Sequence, residues 1–188
     1  MLLENYYYYY PGALGDRFCN TVIDYALSQK EEKAITSDEN KNISNYIRQS
    51  NLVWLKKKWI YKKKHSYLHD ANAGANWNYQ WDQTEAVQFT IYKPGQYYDW
   101  HCDMGKRANN RGKVRKLSAV INISDPKDYI GGELEFDFRD GSSPLICKEI
   151  KPKGSIVVFP GFVYHRVKPV VDGTRYSLVC WAQGNPWR

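Results

Sequence analysis

The sequence predicts a mainly β protein of the α+β class: a jelly roll (double-stranded β-helix) with N-terminal helices packed on one of its two sheets. Three observations support this prediction. Short β-rich runs alternate with turn signals from residue 76 onward, helical apolar periodicity is confined to the residues before that point, and no internal repeat is present. Because 188 residues suit one domain, we expect a single domain over 1–188, with a helical third at about 1–75 and a jelly-roll core at about 76–188.

The N-terminal third begins with an aromatic segment. Five consecutive tyrosines within residues 4–11 favour a β-strand that ends at the turn Pro11-Gly12, and a low-complexity tail is the alternative. After this turn, apolar side chains recur at helical spacing over 15–29, where Asp16 is suited to cap the helix N-terminus. A strand followed at once by a helix is therefore expected.

A polar loop and a second helix complete this third. Residues 30–45 are polar and predict a loop, and the segment at about 55–73 has the pattern of a helix with an apolar and a basic face. We expect the apolar face to pack inward (Leu55, Trp59, Ile60, Tyr67 and Leu68) and the lysines at 56–58 and 62–64 to face solvent.

The remaining residues predict eight strands separated by turns such as Pro94-Gly95, Asp140-Gly141 and Pro160-Gly161. The predicted strands are Trp77–Trp81, Ala86–Tyr92, Tyr97–Asp103, Leu117–Ile123, Glu133–Phe138, Ser155–Phe159, Val163–Val167 and Tyr176–Ala182.

The basic and aromatic character of the chain raises the question of nucleic-acid binding. Lys and Arg number 27 against 20 Asp and Glu, a net charge of +7. Many of these cations lie in two clusters, one over 56–64 on the second helix and one after Asp103 (Lys106, Arg107, Arg111, Lys113, Arg115 and Lys116). The second cluster falls in a predicted loop over 104–116, which is either a lid that closes over substrate or a flexible surface loop. Such charge suits an acidic or peptide-like substrate at least as well as nucleic acid.

The chain carries no signal for membrane insertion or secretion. No apolar run approaches the roughly 20 residues of a membrane span, and no charged segment precedes an apolar one at the N-terminus. The four cysteines are widely spaced and form no Cys-x-x-Cys pair, which favours reduced thiols over a zinc or redox motif. We therefore expect a cytoplasmic protein without a membrane partner.

Three residues have the chemistry of a metal site. His101 and Asp103 form a His-x-Asp pair, and side chains two apart on a strand share a face. His165 follows a buried-looking strand and a Pro-Gly turn, so it is the candidate third ligand. Two imidazoles and one carboxylate form the facial triad of non-haem Fe(II) oxygenases. The alternative is a strand with a hydrogen-bonded histidine and a surface aspartate.

Arg175 begins a predicted strand in which Arg175, Ser177, Val179 and Trp181 share one face. An arginine turned inward requires an anion, and a dicarboxylate would supply one through a bidentate pair. An arginine that reaches solvent at the start of the strand is the alternative.

With these residues the chain resembles the Fe(II)/2-oxoglutarate-dependent dioxygenase superfamily, specifically its prolyl 4-hydroxylase-like branch, which includes the PKHD-type hydroxylases. The resemblance covers about residues 45–188. The matching motifs are Gln88-Phe-Thr-Ile-Tyr92, Gly95-x-Tyr97-x-x-x-His101-x-Asp103, Leu117-Ser118, Tyr129-x-Gly131-Gly132-Glu133-Leu134, Gly154-Ser155 through Phe159-Pro160, and His165 through Arg175 to Trp181, with Arg48-x-Ser50-x-x-x-Trp54-Leu55, Ala71-Asn72 and Trp77 upstream.

The resemblance implies a role for each site residue. His101, Asp103 and His165 would ligate Fe(II), and Arg175 would hold the distal carboxylate of 2-oxoglutarate. Cosubstrate contacts are implied for Tyr92, Asn122 and Trp181. Fe(II), 2-oxoglutarate and O2 would be required, with ascorbate as a reductant. Collagen-type prolyl hydroxylases usually have Lys where this chain has Arg175, which weakens a collagen-type substrate and leaves the cosubstrate unaffected.

The implied activity is hydroxylation of a peptidyl residue, with proline favoured, and release of succinate and CO2. Its alternatives are hydroxylation of a small free molecule such as an amino acid, which predicts a closed pocket with a second anion-binding residue, and a jelly-roll binding module without catalysis. A nucleic-acid demethylase is disfavoured, because those enzymes carry a second arginine where this chain has Trp181.

Overall fold

A computed structural model of the protein describes residues 3–34 and 47–187, except for the side chains of 62–64. It contains the helices α1 (Asp16–Leu27) and α2 (Lys58–Gly74), a short 3-10 helix (Lys148–Ile150), and the strands β1 (Tyr8–Tyr10), β2 (Glu32–Lys33), β3 (Arg48–Gln49), β4 (Asn51–Leu55), β5 (Gln83–Thr84), β6 (Val87–Tyr92), β7 (Tyr97–His101), β8 (Val114–Asn122), β9 (Tyr129–Gly131), β10 (Leu134–Asp137), β11 (Leu145–Ile146), β12 (Ile156–Pro160), β13 (Tyr164–Val167), β14 (Val170–Gly173) and β15 (Arg175–Gly184).

Two antiparallel sheets carry the fold and confirm the predicted jelly roll. The major sheet has eight strands in the order β1-β12-β8-β15-β6-β4-β2, with β5 paired to β15. The minor sheet has five strands in the order β11-β10-β13-β7-β3, and β14 pairs with β9 in a separate ribbon. Because many neighbours in these sheets are distant in sequence, the fold brings side chains from separate motifs together.

The outer face of the major sheet is covered by both helices, as expected. The buried faces of α1 and α2 include Val22 and Leu68, which belong to one apolar cluster with the sheet residues Phe89 and Leu178. Strand alternation places the neighbouring residues of the sheet on its opposite, inner face. Of the helices in the described part of the chain, none is long and apolar enough to cross a membrane.

A second apolar cluster lies between the two sheets. The major sheet contributes Val120, Val157 and Phe159, and the minor sheet contributes Phe136 and Val167. This packing fixes the separation of the sheets, since a close-packed interior resists small displacements. Polar side chains occupy the remaining space between the sheets and form the site described below.

The predicted strand Trp77–Trp81 is wrong. These residues form an irregular segment, in which Asn78 has a φ of +53°, a value that interrupts an extended strand. Trp77 is held instead by a hydrogen bond from its Nε1 to the carbonyl of Asn5 (2.7 Å). Aromatic content favoured a strand here, but contact with the N-terminal segment decided the local conformation.

The N-terminal third holds more β structure than its pattern predicts. Strand β4 pairs with β6 in the major sheet, and α2 begins only at Lys58. The strand expected over 4–11 is confined to β1, and the N-cap of α1 is Gly15 instead of Asp16, whose carboxylate lies in the first turn near the positive end of the helix dipole.

The remaining predictions differ from the structure in smaller ways. Part of the loop predicted at 30–45 lies outside the described residues, and its described part contains β2. The other seven predicted core strands occur with shifted ends; the strand expected over Tyr97–Asp103 ends at His101, and β15 extends to Gly184. The cysteines are free thiols, as predicted.

Candidate functional site

Adjacent strands of the minor sheet bring the three predicted metal ligands together. His101 ends β7, and its backbone pairs with that of His165 on β13. Asp103 follows in a bend, which is fixed by a hydrogen bond from the Met104 N–H to the carbonyl of Gly161 (2.8 Å). The candidate ligand atoms of the three side chains all lie within 4.8 Å of one another. These three side chains, called the metal cluster below, can hold a single ion.

Backbone carbonyls orient both imidazoles. His101 Nδ1 lies 2.7 Å from the carbonyl of Asp99, and His165 Nδ1 lies 3.0 Å from that of Val163. Since a carbonyl only accepts, each Nδ1 carries a proton, and each Nε2 is the ring nitrogen left to bind a metal. The two Nε2 atoms lie 3.8 and 3.7 Å from the carboxylate oxygens of Asp103. Two imidazoles aimed beside a carboxylate match the donor set of a ferrous facial triad.

Burial and mutual proximity shift the pKa values of His101 and Asp103 toward the forms that bind a metal. Burial and the neighbouring His165 lower the pKa of His101 to about 3, so its ring is neutral. Burial opposes ionisation of Asp103, but the nearby His165, His101 and Arg115 outweigh it and hold the pKa of the carboxyl below its usual value. Ser118 on β8 also donates to Asp103 Oδ2 (2.6 Å). The cluster thus offers a carboxylate and, at His101, a neutral imidazole.

The inner face of the major sheet forms the opposite wall of the site. A cavity of about 570 Å³ is lined by the three ligands and by Tyr92, Ser177, Val179 and Trp181. Arg175 contacts two of these lining residues: its guanidinium carbon lies 5.6 Å from the Tyr92 ring, and Nη1 donates to Ser177 Oγ (3.5 Å). Its side chain is 1% exposed. Arg175 therefore faces inward, as the strand alternation predicted.

Tyr92 can serve as a hydrogen-bond donor in this pocket. Its side chain is 3% exposed, and burial raises the pKa of its hydroxyl while the charges of Arg48 and Arg175 oppose the shift. The phenol therefore keeps its proton at neutral pH. The indole Nε1 of Trp181 is a second donor, buried and without a hydrogen-bond partner among the described residues.

Gly132 makes room for Arg175. Its φ is +65°, and a Cβ atom at this position would lie 2.9 Å from Cδ of Arg175 and 3.0 Å from Cγ2 of Val170. Both the backbone conformation and the space require glycine. The Gly131-Gly132 motif thus has a local reason, because a side chain at Gly132 would collide with Arg175.

Asn122 does not line the cavity, contrary to the sequence prediction. It shares the inner face of β8 with Ser118 and Val120, but its Nδ2 donates to the carbonyls of Lys151 (2.8 Å) and Ser124 (3.3 Å). The atom left without a partner among the described residues is Oδ1, an acceptor that cannot bind a carboxylate. Asn122 fastens the end of the strand, and its position in the sequence does not reveal this.

The basic cluster after Asp103 is divided by the structure. Arg115 and Lys116 belong to β8 and not to the loop. Arg115 pairs with Glu85 through Nε (2.6 Å) and Nη2 (2.7 Å) while its guanidinium lies 3.8 Å from the Trp181 ring centroid. Lys116 is buried against Trp187 on the other face. Strand alternation separates these two neighbours, a consequence that the charge pattern alone does not show.

The rest of that loop is fastened beside the cavity through Asn109. Its Nδ2 donates to Gln183 Oε1 (3.2 Å), and Gln183 in turn donates to Glu85 (2.6 Å). Gly105, Arg107, Asn109 and Lys113 line the cavity. The loop therefore borders the metal cluster, as expected, and whether it moves as a lid stays a prediction.

The sequence analysis missed three contributors to the site. Arg48 lines the cavity from β3, Arg115 supports Trp181, and Ser118 orients Asp103. Arg48 and Ser118 lie in motifs that the sequence singled out, but those motifs assign no role to either side chain. Their roles depend on strand pairing across the fold.

The fold and the metal cluster define an oxygenase of the facial-triad type, and the chain belongs to the 2OG-Fe(II) oxygenase superfamily, which residues 87–183 match. Fe(II), 2-oxoglutarate and O2 are the metal, cosubstrate and oxidant of this family.

Within the family, the chain is similar to PKHD-type hydroxylases. It is 36% identical to one from Pseudomonas aeruginosa over 99 residues, which cover 50% of this chain and 42% of the relative. A relative from Xanthomonas axonopodis is 35% identical over 100 residues, with the same coverage. The chain thus matches less than half the length of these curated relatives.

Solved structures show the same fold. A Pseudomonas putida prolyl-4-hydroxylase superposes with a TM-score of 0.71 at 19% identity, covering 97% of this chain and 95% of that one. A viral collagen prolyl hydroxylase from Paramecium Bursaria Chlorella virus-1 superposes with a TM-score of 0.67 at 23% identity, covering 96% and 97%.

Proposed function

We propose that this protein is an Fe(II)- and 2-oxoglutarate-dependent dioxygenase that hydroxylates a peptidyl residue, with proline as the favoured target, and releases succinate and CO2. The observation that carries the proposal is the joint placement of His101, Asp103 and His165 on one wall of a cavity and of Arg175 beside its opposite wall. A metal cluster alone would suit many functions. A buried arginine across the cavity adds a receptor for a dicarboxylate.

The donor atoms present fit the implied metal. His101 and His165 would bind Fe(II) through Nε2 and Asp103 through a carboxylate oxygen, while Ser118 orients that carboxylate. The bound iron would supply the oxygen activation that ordinary side chains cannot perform.

The cosubstrate would span the cavity. The Arg175 guanidinium would receive the distal carboxylate of 2-oxoglutarate, with a hydrogen bond from the Tyr92 hydroxyl. The indole of Trp181, held by Arg115, would close one side and exclude water. The similarity to PKHD-type and prolyl hydroxylases supports a prolyl target. Ascorbate as reductant, a peptide substrate and a cytoplasmic location complete the proposal.

Hydroxylation of a small free molecule is the second candidate. Its specific support is Arg48, a buried cation that lines the cavity. If Arg175 binds the cosubstrate, Arg48 is free to bind another anion. A free amino acid would bring such an anion as its carboxylate.

The direct test is turnover by the purified protein. With Fe(II), 2-oxoglutarate and O2 it should form succinate, and mass spectrometry of added proline-containing peptides and free amino acids should find a gain of one oxygen in the substrate. His101→Ala should abolish metal binding and turnover, whereas His69→Ala, outside the cavity, should retain both. A protein that binds iron but forms no succinate with any substrate would contradict the proposal and favour a binding module.

A further inference from the structure

A second buried arginine, Arg48, lines the cavity directly, which Arg175 does not. Its side chain lines the cavity from β3 and is 5% exposed. Nε donates to Ser50 Oγ (2.8 Å), and the guanidinium carbon lies 4.6 Å from the centroid of the Tyr98 ring. That ring stacks on the imidazole of His101, with centroids 3.4 Å apart. Arg48 is thus held in a defined orientation beside the metal cluster.

The charge of Arg48 has no carboxylate partner among the residues that the structure describes. Among residues 3–34 and 47–187, no carboxylate lies within 4 Å of its guanidinium, and Nη2 is buried without a hydrogen-bond partner. Arg115 in the same cavity differs, because Glu85 binds it through two hydrogen bonds. Burial of an unpaired charge is costly, so an arginine that no described carboxylate neutralises is suited to receive the anion of a bound molecule.

The cosubstrate needs only one of the two unpaired arginines. One carboxylate of 2-oxoglutarate goes to Arg175, and the 2-oxo acid end has the metal to bind. Arg48 lies on the minor sheet against Tyr98, and Arg175 lies on the major sheet against Gly132, while the charges of both act on the Tyr92 hydroxyl. Two cations from different sheets, of which only Arg48 lines the cavity itself, can receive two separate anions.

We propose that Arg48 is a binding site for a carboxylate of the molecule that is hydroxylated. This inference rests on the proposed function and deepens it, because it names the substrate class: a carboxylate-bearing molecule, either a free amino acid or an acidic peptide. Tyr98 and Ser50 are the groups that position the guanidinium for a carboxylate arriving at Nη2.

The site can be tested with a small fluorinated anion. Protein loaded with Zn(II) and saturated with 2-oxoglutarate is titrated with trifluoroacetate, and binding is followed by ¹⁹F NMR. Neutral trifluoroacetamide is the control ligand, and Arg17→Gln on the exposed face of α1 is the control variant. Trifluoroacetate should bind the wild type and Arg17→Gln with the same affinity. Its affinity for Arg48→Gln should be about tenfold weaker. Trifluoroacetamide should bind to none of the three proteins.

Two outcomes would overturn the proposal. Equal binding by the wild type and Arg48→Gln would place the anion elsewhere, for example on the metal. Loss of trifluoroacetate binding when 2-oxoglutarate is added would assign Arg48 to the cosubstrate. If Arg48→Gln does not fold, Arg48→Lys replaces it; this variant keeps the charge and loses the fork, so its affinity should fall, and unchanged affinity would contradict the proposal.

Competition identifies the source of the carboxylate. Displacement of trifluoroacetate by L-proline would indicate a free amino acid, and displacement by acetyl-Asp-Pro-amide an acidic peptide. Displacement by neither would contradict a substrate carboxylate at this site. The same samples test the proposed function separately. A wild-type protein that does not bind 2-oxoglutarate would contradict the proposed function. A trifluoroacetate titration without 2-oxoglutarate would still measure anion binding at Arg48.

Discussion

Arg175 shows how much a single residue depends on its surroundings. It is fully buried between Gly132, Tyr92 and Ser177, and its charge has no carboxylate partner within the described residues. The same side chain, exposed to solvent at a strand end, would bind a carboxylate only weakly. Burial strengthens its attraction for a carboxylate because competing water is excluded.

The substitution Arg175→Ala should weaken the binding of 2-oxoglutarate and leave the affinity for iron unchanged. A hydrogen-bonded charge pair contributes about 2 kcal/mol, so the KM for 2-oxoglutarate should rise by about 30-fold. Iron affinity, measured by titration, should match that of the wild type, and exposed Arg139→Ala should change neither quantity. Unchanged cosubstrate affinity in Arg175→Ala would show that another cation binds the distal carboxylate.

Gly132→Ala should act on the cosubstrate indirectly. The added methyl would meet Cδ of Arg175, so the guanidinium must shift, and the positive φ adds strain of about 1 kcal/mol. We expect a higher KM for 2-oxoglutarate with iron affinity retained. Gly141→Ala is the matched control, because Gly141 also has a positive φ but has open space around its Cβ position. Equal effects of the two variants on KM would contradict the steric explanation.

At the scale of elements, each helix supports the site by packing its buried face against the major sheet. Leu68 of α2 is fully buried against the major sheet, whose opposite face carries Tyr92 and Trp181. Helix α2 lacks a side-chain N-cap and acidic residues in its first turn, so local signals contribute little to its stability. The stability of this helix therefore comes mainly from its packing on the sheet.

Leu68→Ala should therefore destabilise the fold strongly. Removing a fully buried leucine side chain costs about 2–5 kcal/mol of unfolding free energy. The same substitution at Leu27, which is 51% exposed in α1, should cost less than about 1 kcal/mol. Denaturant unfolding monitored by circular dichroism measures both values. Similar losses in the two variants would indicate that α2 does not depend on its contact with the sheet.

At the scale of the whole molecule, the site joins the two sheets. The metal cluster belongs to strands of the minor sheet and the bend after β7, whereas Arg175 and Tyr92 belong to the major sheet. A cosubstrate bound at both ends would connect them, in addition to the apolar layer between the sheets. Ligand binding should therefore stabilise the native state as a unit.

Metal and 2-oxoglutarate together should raise the Tm more than metal alone. A ligand at about 100 times its Kd stabilises by about 2.7 kcal/mol, which corresponds to a Tm increase of about 5–10 °C for a chain of this size. Zn(II) can replace Fe(II) so that no turnover occurs during the scan. Arg175→Ala should keep the increase from metal and retain only about a third of the increase from 2-oxoglutarate, because a Kd weakened about 30-fold leaves about 0.9 kcal/mol at the same ligand concentration. A full cosubstrate effect in this variant would argue against a bridging ligand.

The sequence by itself determined the fold class, the helices on one sheet, seven of the core strands in outline and the residues of the metal cluster. These features depend on local periodicity and on side chains whose chemistry is specific, such as His101, Asp103 and His165. The inward direction of the Arg175 side chain also followed from alternation along one strand.

Tertiary structure decided the features that depend on contacts between distant segments. Strand β4 formed in residues to which the local pattern assigned almost no element, because β6 lies beside it, and Trp77 left the expected strand for Asn5. Asn122 turned to the carbonyl of Lys151, while Arg48 came to the metal cluster through the pairing of β3 with β7. Long-range pairing sets which partner a polar side chain meets, and local sequence carries no record of that partner.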